Sequence, residues 1–287
     1  MSSKKVLVCI DNSSYCKAAC DYGVFISKLL DLPLVLLNVI NHSHISKKVD
    51  LSGNIGLGSK DNLLDELSKE EHEESKELIN TGKNLLKTYS QYVKTQDITN
   101  LFTLQRHGNL EENLEDLEKE TKIAIIGFDK TSSDNKNLED IIRNLNIPIL
   151  VVNNEFSPIK SILMAYDGSD FANKAINTAT KDPIFPNITR YIVNINKDKE
   201  SSLKLLNEAK NLFAKEKFEV NTSSLDGDKV DELLKYQKEK DIDIIAMGAY
   251  SHNRLKSVIF GSFTSKILEK AEKPLLLFRW DNSLTLG

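Results

Sequence analysis

The residues best suited to chemistry lie late in the chain, in Gly248-Ala-Tyr-Ser251-His252-Asn-Arg254-Leu-Lys256-Ser-Val-Ile-Phe-Gly261-Ser262-Phe263-Thr264. An apolar run, about 242–247, leads into Gly248, where the chain can turn sharply and backbone can approach a ligand. Gly261-Ser262 then opens a helical pattern running to about Lys273. Free N–H groups and the dipole at a helix start favour an anion. Ser262 and Thr264 add hydroxyl donors, and Arg254, Lys256 and Lys266 add positive charge. His252 is placed either to touch a ligand or to make a local hydrogen bond. A second feature, Asp167-Gly-Ser169, follows an apolar run at about 161–166. In an open parallel sheet, ligands bind beyond the carboxyl ends of the strands, so the two features converge on one place.

The elements that must position them occur twice. Lys4-Lys-Val-Leu-Val-Cys-Ile-Asp11-Asn-Ser-Ser14 is matched by Ile159-Lys-Ser-Ile-Leu-Met-Ala-Tyr-Asp167-Gly-Ser-Asp170. His107-Gly-Asn109 leads to Ile123-Ala-Ile-Ile-Gly127, as Asp226-Gly-Asp228 leads to Asp243-Ile-Ile-Ala-Met-Gly248. Both halves close on a Pro-led apolar strand, Pro148–Val152 and Pro274–Phe278. Three matches in one order argue for duplication. Apolar strands alternating with amphipathic helices predict an α/β fold: two tandem open parallel five-stranded sheets with helices on both faces. The strands fall at about 5–10, 34–40, 101–105, 123–127 and 148–152, then about 161–166, 190–195, 218–224, 242–247 and 274–279. The domains are expected at 1–153 and 158–280, with an insertion of about 42–75 in the first, ahead of a helix at 76–95. The acidic run within the insertion reads as a solvated helix face. Asp11 and Ser13 read as cap residues of the first helix.

The pattern Gly248, position 251, then Gly261-Ser262 resembles the ATP-binding members of the universal stress protein family. The likeness spans the whole chain as two domains, and it implies the adenine-nucleotide alpha-hydrolase-like fold. It implies that Ala165, Tyr166 and Asp167 end the first strand of the site, with Asp167 facing adenine or ribose. Val193, at the end of the second strand, would meet adenine through its backbone. Met247 and Gly248 would line the ribose, while Gly261, Ser262, Phe263 and Thr264 would hold the phosphates through N–H groups. Ser251 departs from the family's second Gly: it brings a side chain to the pocket, and a left-handed backbone there costs about 1 kcal/mol. The resemblance also implies that the last strands of the two halves face each other, so that one chain imitates a family dimer. Further pairing into a homodimer is left open. The first half has no Gly-Ser at the matching helix start, and Glu139 and Asp140 occupy its first turn, which disfavours phosphate.

Composition bounds the rest. With 287 residues, 40% hydrophobic and 28% charged, the chain can bury two cores. A net charge of −4 argues against a nucleic-acid partner, and no apolar run is long enough to span a membrane. A cytoplasmic location is expected. Cys9, Cys16 and Cys20 read as core. Gly53-Asn-Ile-Gly-Leu-Gly58-Ser-Lys60 looks like a P-loop but has Ser before Lys and no strand ahead of it, so a flexible insertion is expected. His42 and His44 lack the further ligands a metal site needs. No catalytic set is present. The reading is therefore an adenine-nucleotide sensor or switch, with ATP as ligand, with or without Mg²⁺. A nucleotide-free scaffold and a slow ATPase, with Mg²⁺ near Asp167, are the alternatives.

Overall fold

Short apolar runs become the inner strands here because both faces of each run are covered. In β1 (Lys5–Cys9), Val6 and Val8 enter one hydrophobic cluster while Leu7 and Cys9 enter another. A parallel sheet sandwiched between helices demands this two-sided burial. The computed structural model describes residues 4–41, 57–130, 138, 141–142, 145–248 and 262–278. After β1 come β2 (Leu34–Ile40), β3 (Leu101–His107), β4 (Thr121–Gly127) and β5 (Ile149–Val152). The second half supplies β6 (Ser161–Ala165), β7 (Thr189–Ile195), β8 (Asn221–Leu225), β9 (Ile244–Gly248) and β10 (Leu275–Phe278). They form one ten-stranded sheet in the order β3-β2-β1-β4-β5-β10-β9-β6-β7-β8. Each half is parallel throughout. The halves join through a single antiparallel pair, β5 with β10, in which Leu276 faces Leu150.

Between the strands run α1 (Cys16–Leu30), α2 (Leu57–Lys94), α3 (Leu110–Leu117), α4 (Asp170–Lys181), α5 (Lys199–Lys215), α6 (Lys229–Glu239) and α7 (Ser262–Lys270). Helix α1 buries Cys16, Ala19, Cys20, Gly23, Ile26 and Ser27, a stripe at helical spacing. Gly23 brings it close to the sheet: a Cβ there would lie 2.4 Å from Val8 Cγ2. The helix stops at Asp31, left-handed at φ 51°, whose N–H reaches the Ser27 carbonyl. Asp198 caps α5 and Asp228 caps α6 by accepting backbone N–H bonds, whereas Asn109 does so for α3.

Two expectations need correcting. Helix α2 is one helix of 38 residues from Leu57 to Lys94, so the acidic run is helical as expected, while Leu57–Lys60 is helical rather than part of a flexible insertion. The stretch from Ser59 to Thr81 contains neither Gly nor Pro and is rich in Leu, Glu and Lys, all good helix formers. Leu57–Lys60, the end of the P-loop-like string, thus opens a helix, while 42–56, with His42 and His44, lie outside the described residues. Asp11 and Ser13 do not cap α1. Tyr15 holds the N-cap position without a side-chain bond, and Asp11 Oδ1 accepts the Ser13 amide at 2.9 Å inside the preceding loop. The equivalent loop in the second half does cap: Ser169 Oγ accepts the Ala172 amide at 3.2 Å.

Candidate functional site

β6 is flanked by β9 on one side and β7 on the other. The chain leaves β6 by α4 on one face of the sheet, and α6 and α7 flank β9 on the other. The carboxyl ends of β6 and β9 therefore bound the switch point of the second half, where an open α/β sheet leaves a crevice.

At the end of β6, Ala165 is half-buried, Tyr166 is buried and Asp167 is exposed. Tyr166 is fixed three ways. Its N–H donates to the Val193 carbonyl at 2.9 Å, and its carbonyl accepts Asn194 Nδ2 at 2.7 Å. Its hydroxyl donates to Asn173 Oδ1 at 2.6 Å. Burial raises the Tyr166 pKa, with Glu208 and Asp167 adding to the effect, so the hydroxyl stays a neutral donor. Asp167 Oδ1 accepts the Ser169 amide at 3.0 Å across Gly168, whose φ of +75° suits glycine. This turn presents the Asp167 carboxylate at the crevice.

Val193 is placed differently from the expectation. It lies two residues inside β7, fully buried, with its carbonyl engaged by Tyr166. N–H and C=O of one strand residue point to the same side, so the backbone of Val193 is committed to β6. Ile195, rather than Val193, ends β7.

Met247 is buried beneath the sheet surface, and Gly248 is exposed at the tip of β9. Among the described residues, a Cβ on Gly248 would meet nothing within 4 Å. β9 and β10 are parallel, so the chain returns between them through α7, whose amino end points toward the carboxyl edge of the sheet. Ser262 and Phe263 begin this helix, and Thr264 is buried in its first turn. The first N–H groups of a helix have no intrahelical partner. Lys266 is exposed on α7 and acts on Asp228, whose carboxyl sits below its ordinary value because the Asp231 and Val230 amides bond to it, with Lys266 and Lys270 assisting. Ser251, His252, Arg254, Lys256 and Gly261 lie outside the described residues, as do Glu139 and Asp140 of the first half.

The first half is closed at the matching place. A Cβ on Gly127 would lie 2.8 Å from Ser13 Oγ and 3.2 Å from the Tyr15 carbonyl carbon. Ser14 Oγ donates to Asp129 Oδ2 at 2.8 Å, tying the β1 loop to the β4 loop. Protein atoms fill the space that, among the described residues, is open beside Gly248.

Sequence reading missed several positioning residues. Asn194 holds the Tyr166 carbonyl, as Asn38 holds that of Ile10 at 2.9 Å; the Asn recurring at the same place in the repeat was the available signal. The carboxyl end of α7 is also held from the first half. The Ala271 carbonyl accepts Asn153 Nδ2 at 2.7 Å and also Lys130 Nζ. Burial pulls the Lys130 pKa down, while Glu272 and Glu269 oppose it. No local pattern reports a contact between residues 130 and 271.

Comparison with known proteins gives the family and the fold. The Universal stress protein family matches residues 2–153 and 193–279. The chain is 27% identical to universal stress protein Slr1230 of Synechocystis over 286 residues, covering 96% of this chain and all of that one. Universal stress protein MJ0577 of Methanocaldococcus jannaschii is 31% identical over 93 residues, 30% of this chain and 57% of its own. The fold matches a universal stress protein from Archaeoglobus fulgidus with a TM-score of 0.69 at 16% identity, covering 98% of both chains.

Proposed function

Because the chain belongs to the universal stress protein family, we propose that its second half binds an adenine nucleotide, ATP foremost, and acts as a nucleotide-dependent sensor or switch. The observation that carries this reading is that Gly248, exposed at the tip of β9 beside β6 and its Asp167 turn, faces open space among the described residues, with α7 opening after it. The phosphates meet the helix N–H groups, and the base and ribose lie against the β6 and β7 ends. This crevice uses backbone amides rather than a general base or nucleophile, a means of holding a ligand more than of turning it over. Asp167 alone offers too few oxygens to hold Mg²⁺, which keeps several waters and depends on phosphate oxygens. A metal would arrive with the nucleotide. In the same reading, the β5–β10 junction lets one chain stand in for a dimer of single-domain relatives.

Calorimetric titration with ATP, ADP and AMP tests the proposal. Saturable binding that is lost in Gly261→Asp is expected. Absence of heat with all three would return the protein to the scaffold reading, and phosphate release above a Ser262→Ala control would make it a hydrolase.

A further inference from the structure

Away from the crevice, a cavity of ≈ 170 Å³ lies between α4 and the same face of the sheet that α1 covers in the first half. Its floor is apolar: Ile162, Met164, Ala246, Leu276 and Phe278. We propose that this cavity is a second binding site, separate from the nucleotide crevice, for a short- to medium-chain aliphatic carboxylate.

The repeat explains why the cavity exists in one half only. Counted from Asp11 and Asp167, Gly23 of α1 corresponds to Ala179 of α4. Counted from Gly127 and Gly248, Ile125 corresponds to Ala246. At Gly23 an added Cβ would strike Val8 Cγ2 and Leu34 and approach Ile125, so helix and sheet are in full contact. In the second half, α4 presents Ala179 and the sheet presents Ala246, both lining the cavity. The helix stands off by a methyl, and the sheet has lost most of a side chain. Beside α1, Phe156 stacks on Tyr22 with ring centroids 4.9 Å apart.

The walls are built rather than slack. Arg190 donates to the carbonyls of Phe185, Pro186 and Ile188 at 2.9 Å each and lies 4.1 Å over the Phe218 ring, which pins the loop after α4. Lys122 of the first half pairs with Asp182 across the cavity's edge.

Charge selects the ligand. Among the described residues, Lys4, Lys122 and Arg190 line the cavity against one carboxylate, Asp182, in a chain whose net charge is −4. With Lys122 and Arg190 engaged, Lys4 is exposed and positioned to meet an anionic head. An apolar cavity of about 150 Å³ takes up benzene; a comparable one with a cationic, open side suits a carbon chain ending in a carboxylate.

Titration of the full chain with octanoate, in the presence and absence of ATP, tests this. Octanoate is expected to bind at one site per chain whether or not ATP is present. Octanol and acetate, each lacking one half of the match, should bind more weakly. Ala246→Ile reproduces the packing of Ile125, so it keeps the wild-type Tm while weakening octanoate by about tenfold or more. Lys4→Ala should weaken it by about threefold. Absence of octanoate binding, unchanged affinity in a folded Ala246→Ile, or competition with ATP would overturn the proposal. So would binding that emerges only when the chain is cut after Phe278, which would give the cavity to the chain's own last residues.

Discussion

Gly127 and Gly248 end equivalent strands, and they differ in what stands in front of them. Gly127 faces Ser13 and Tyr15 at contact distance, and Gly248 faces open space among the described residues. Several bonds of the scaffold behind them recur in both halves. Ile10 donates to the Leu37 carbonyl as Tyr166 donates to that of Val193, and the Asp11–Ser13 turn repeats as Asp167–Ser169. A duplicated fold has kept its supporting hydrogen bonds while one copy has filled its crevice with its own loop. The difference teaches that the scaffold alone is no evidence of binding; the space in front of the strand ends is.

The sharpest way to break this comparison is to substitute the two glycines. Gly248→Val should weaken ATP by at least about tenfold, a loss of ~1.4 kcal/mol, and leave the unfolding midpoint unchanged. Gly127→Ala should do the reverse, costing about 1–3 kcal/mol of stability through overpacking while ATP binds as before. Titration and denaturant unfolding on both variants read the two effects separately. If Gly127→Ala also weakened ATP, the first half would be a site after all.

The paired asparagines come next. Asn38→Ala and Asn194→Ala each leave a strand-end carbonyl without its amide, worth about 1–3 kcal/mol in unfolding experiments. Only Asn194→Ala should also weaken ATP, since, among the described residues, only the strand ends beside Tyr166 face open space. Equal effects on ATP would erase the distinction between the halves.

Lys130→Met probes the contact that crosses between them. Removing a cation at a helix carboxyl terminus should cost about 0.3–1 kcal/mol, seen as a lower urea midpoint. Loss of ATP affinity with no change in the midpoint would give Lys130 a part in the crevice that this account does not assign.

The smallest effect concerns pH. Asp198 and Asp228, caps in the second half, have carboxyl pKa values held below the ordinary 3.8. For Asp198 the cause is bonds from the Ser201 hydroxyl and amide; for Asp228 it is the Asp231 and Val230 amides. A depressed folded-state value means that the stabilisation is full above the unfolded value and is lost as pH falls through the folded one. The equivalent of Asp228 in the first half is Asn109, which does not titrate. Amide exchange in acid should therefore loosen α6 before α3, and Asp228→Asn should remove that difference.

Much of this fold is legible in the sequence because duplication states each element twice. The inner strands, the Asp167 turn and the helix opening at Ser262 all follow from local apolar runs and small residues, whereas β8, Asn-Thr-Ser-Ser-Leu, does not. The start of α2 was less legible, since Gly58 read as punctuation although the helix formers after it prevail. The depth of Val193 depends on parallel register, which pattern alone leaves uncertain by a residue or two. Long-range pairs were hidden altogether. Gly82 is one example: its missing Cβ leaves room for Asn38 Oδ1 and Gln105 Nε2, which meet at 3.3 Å. Only the packing of α2 against β2 and β3 brings those three residues together.

The central claim is that one half binds nucleotide and the other does not, so the number of ATP molecules bound per chain tests it most directly. Calorimetry on the wild-type chain should return one, falling to none in Gly248→Val. Two per chain, or one that survives Gly248→Val, would contradict the account.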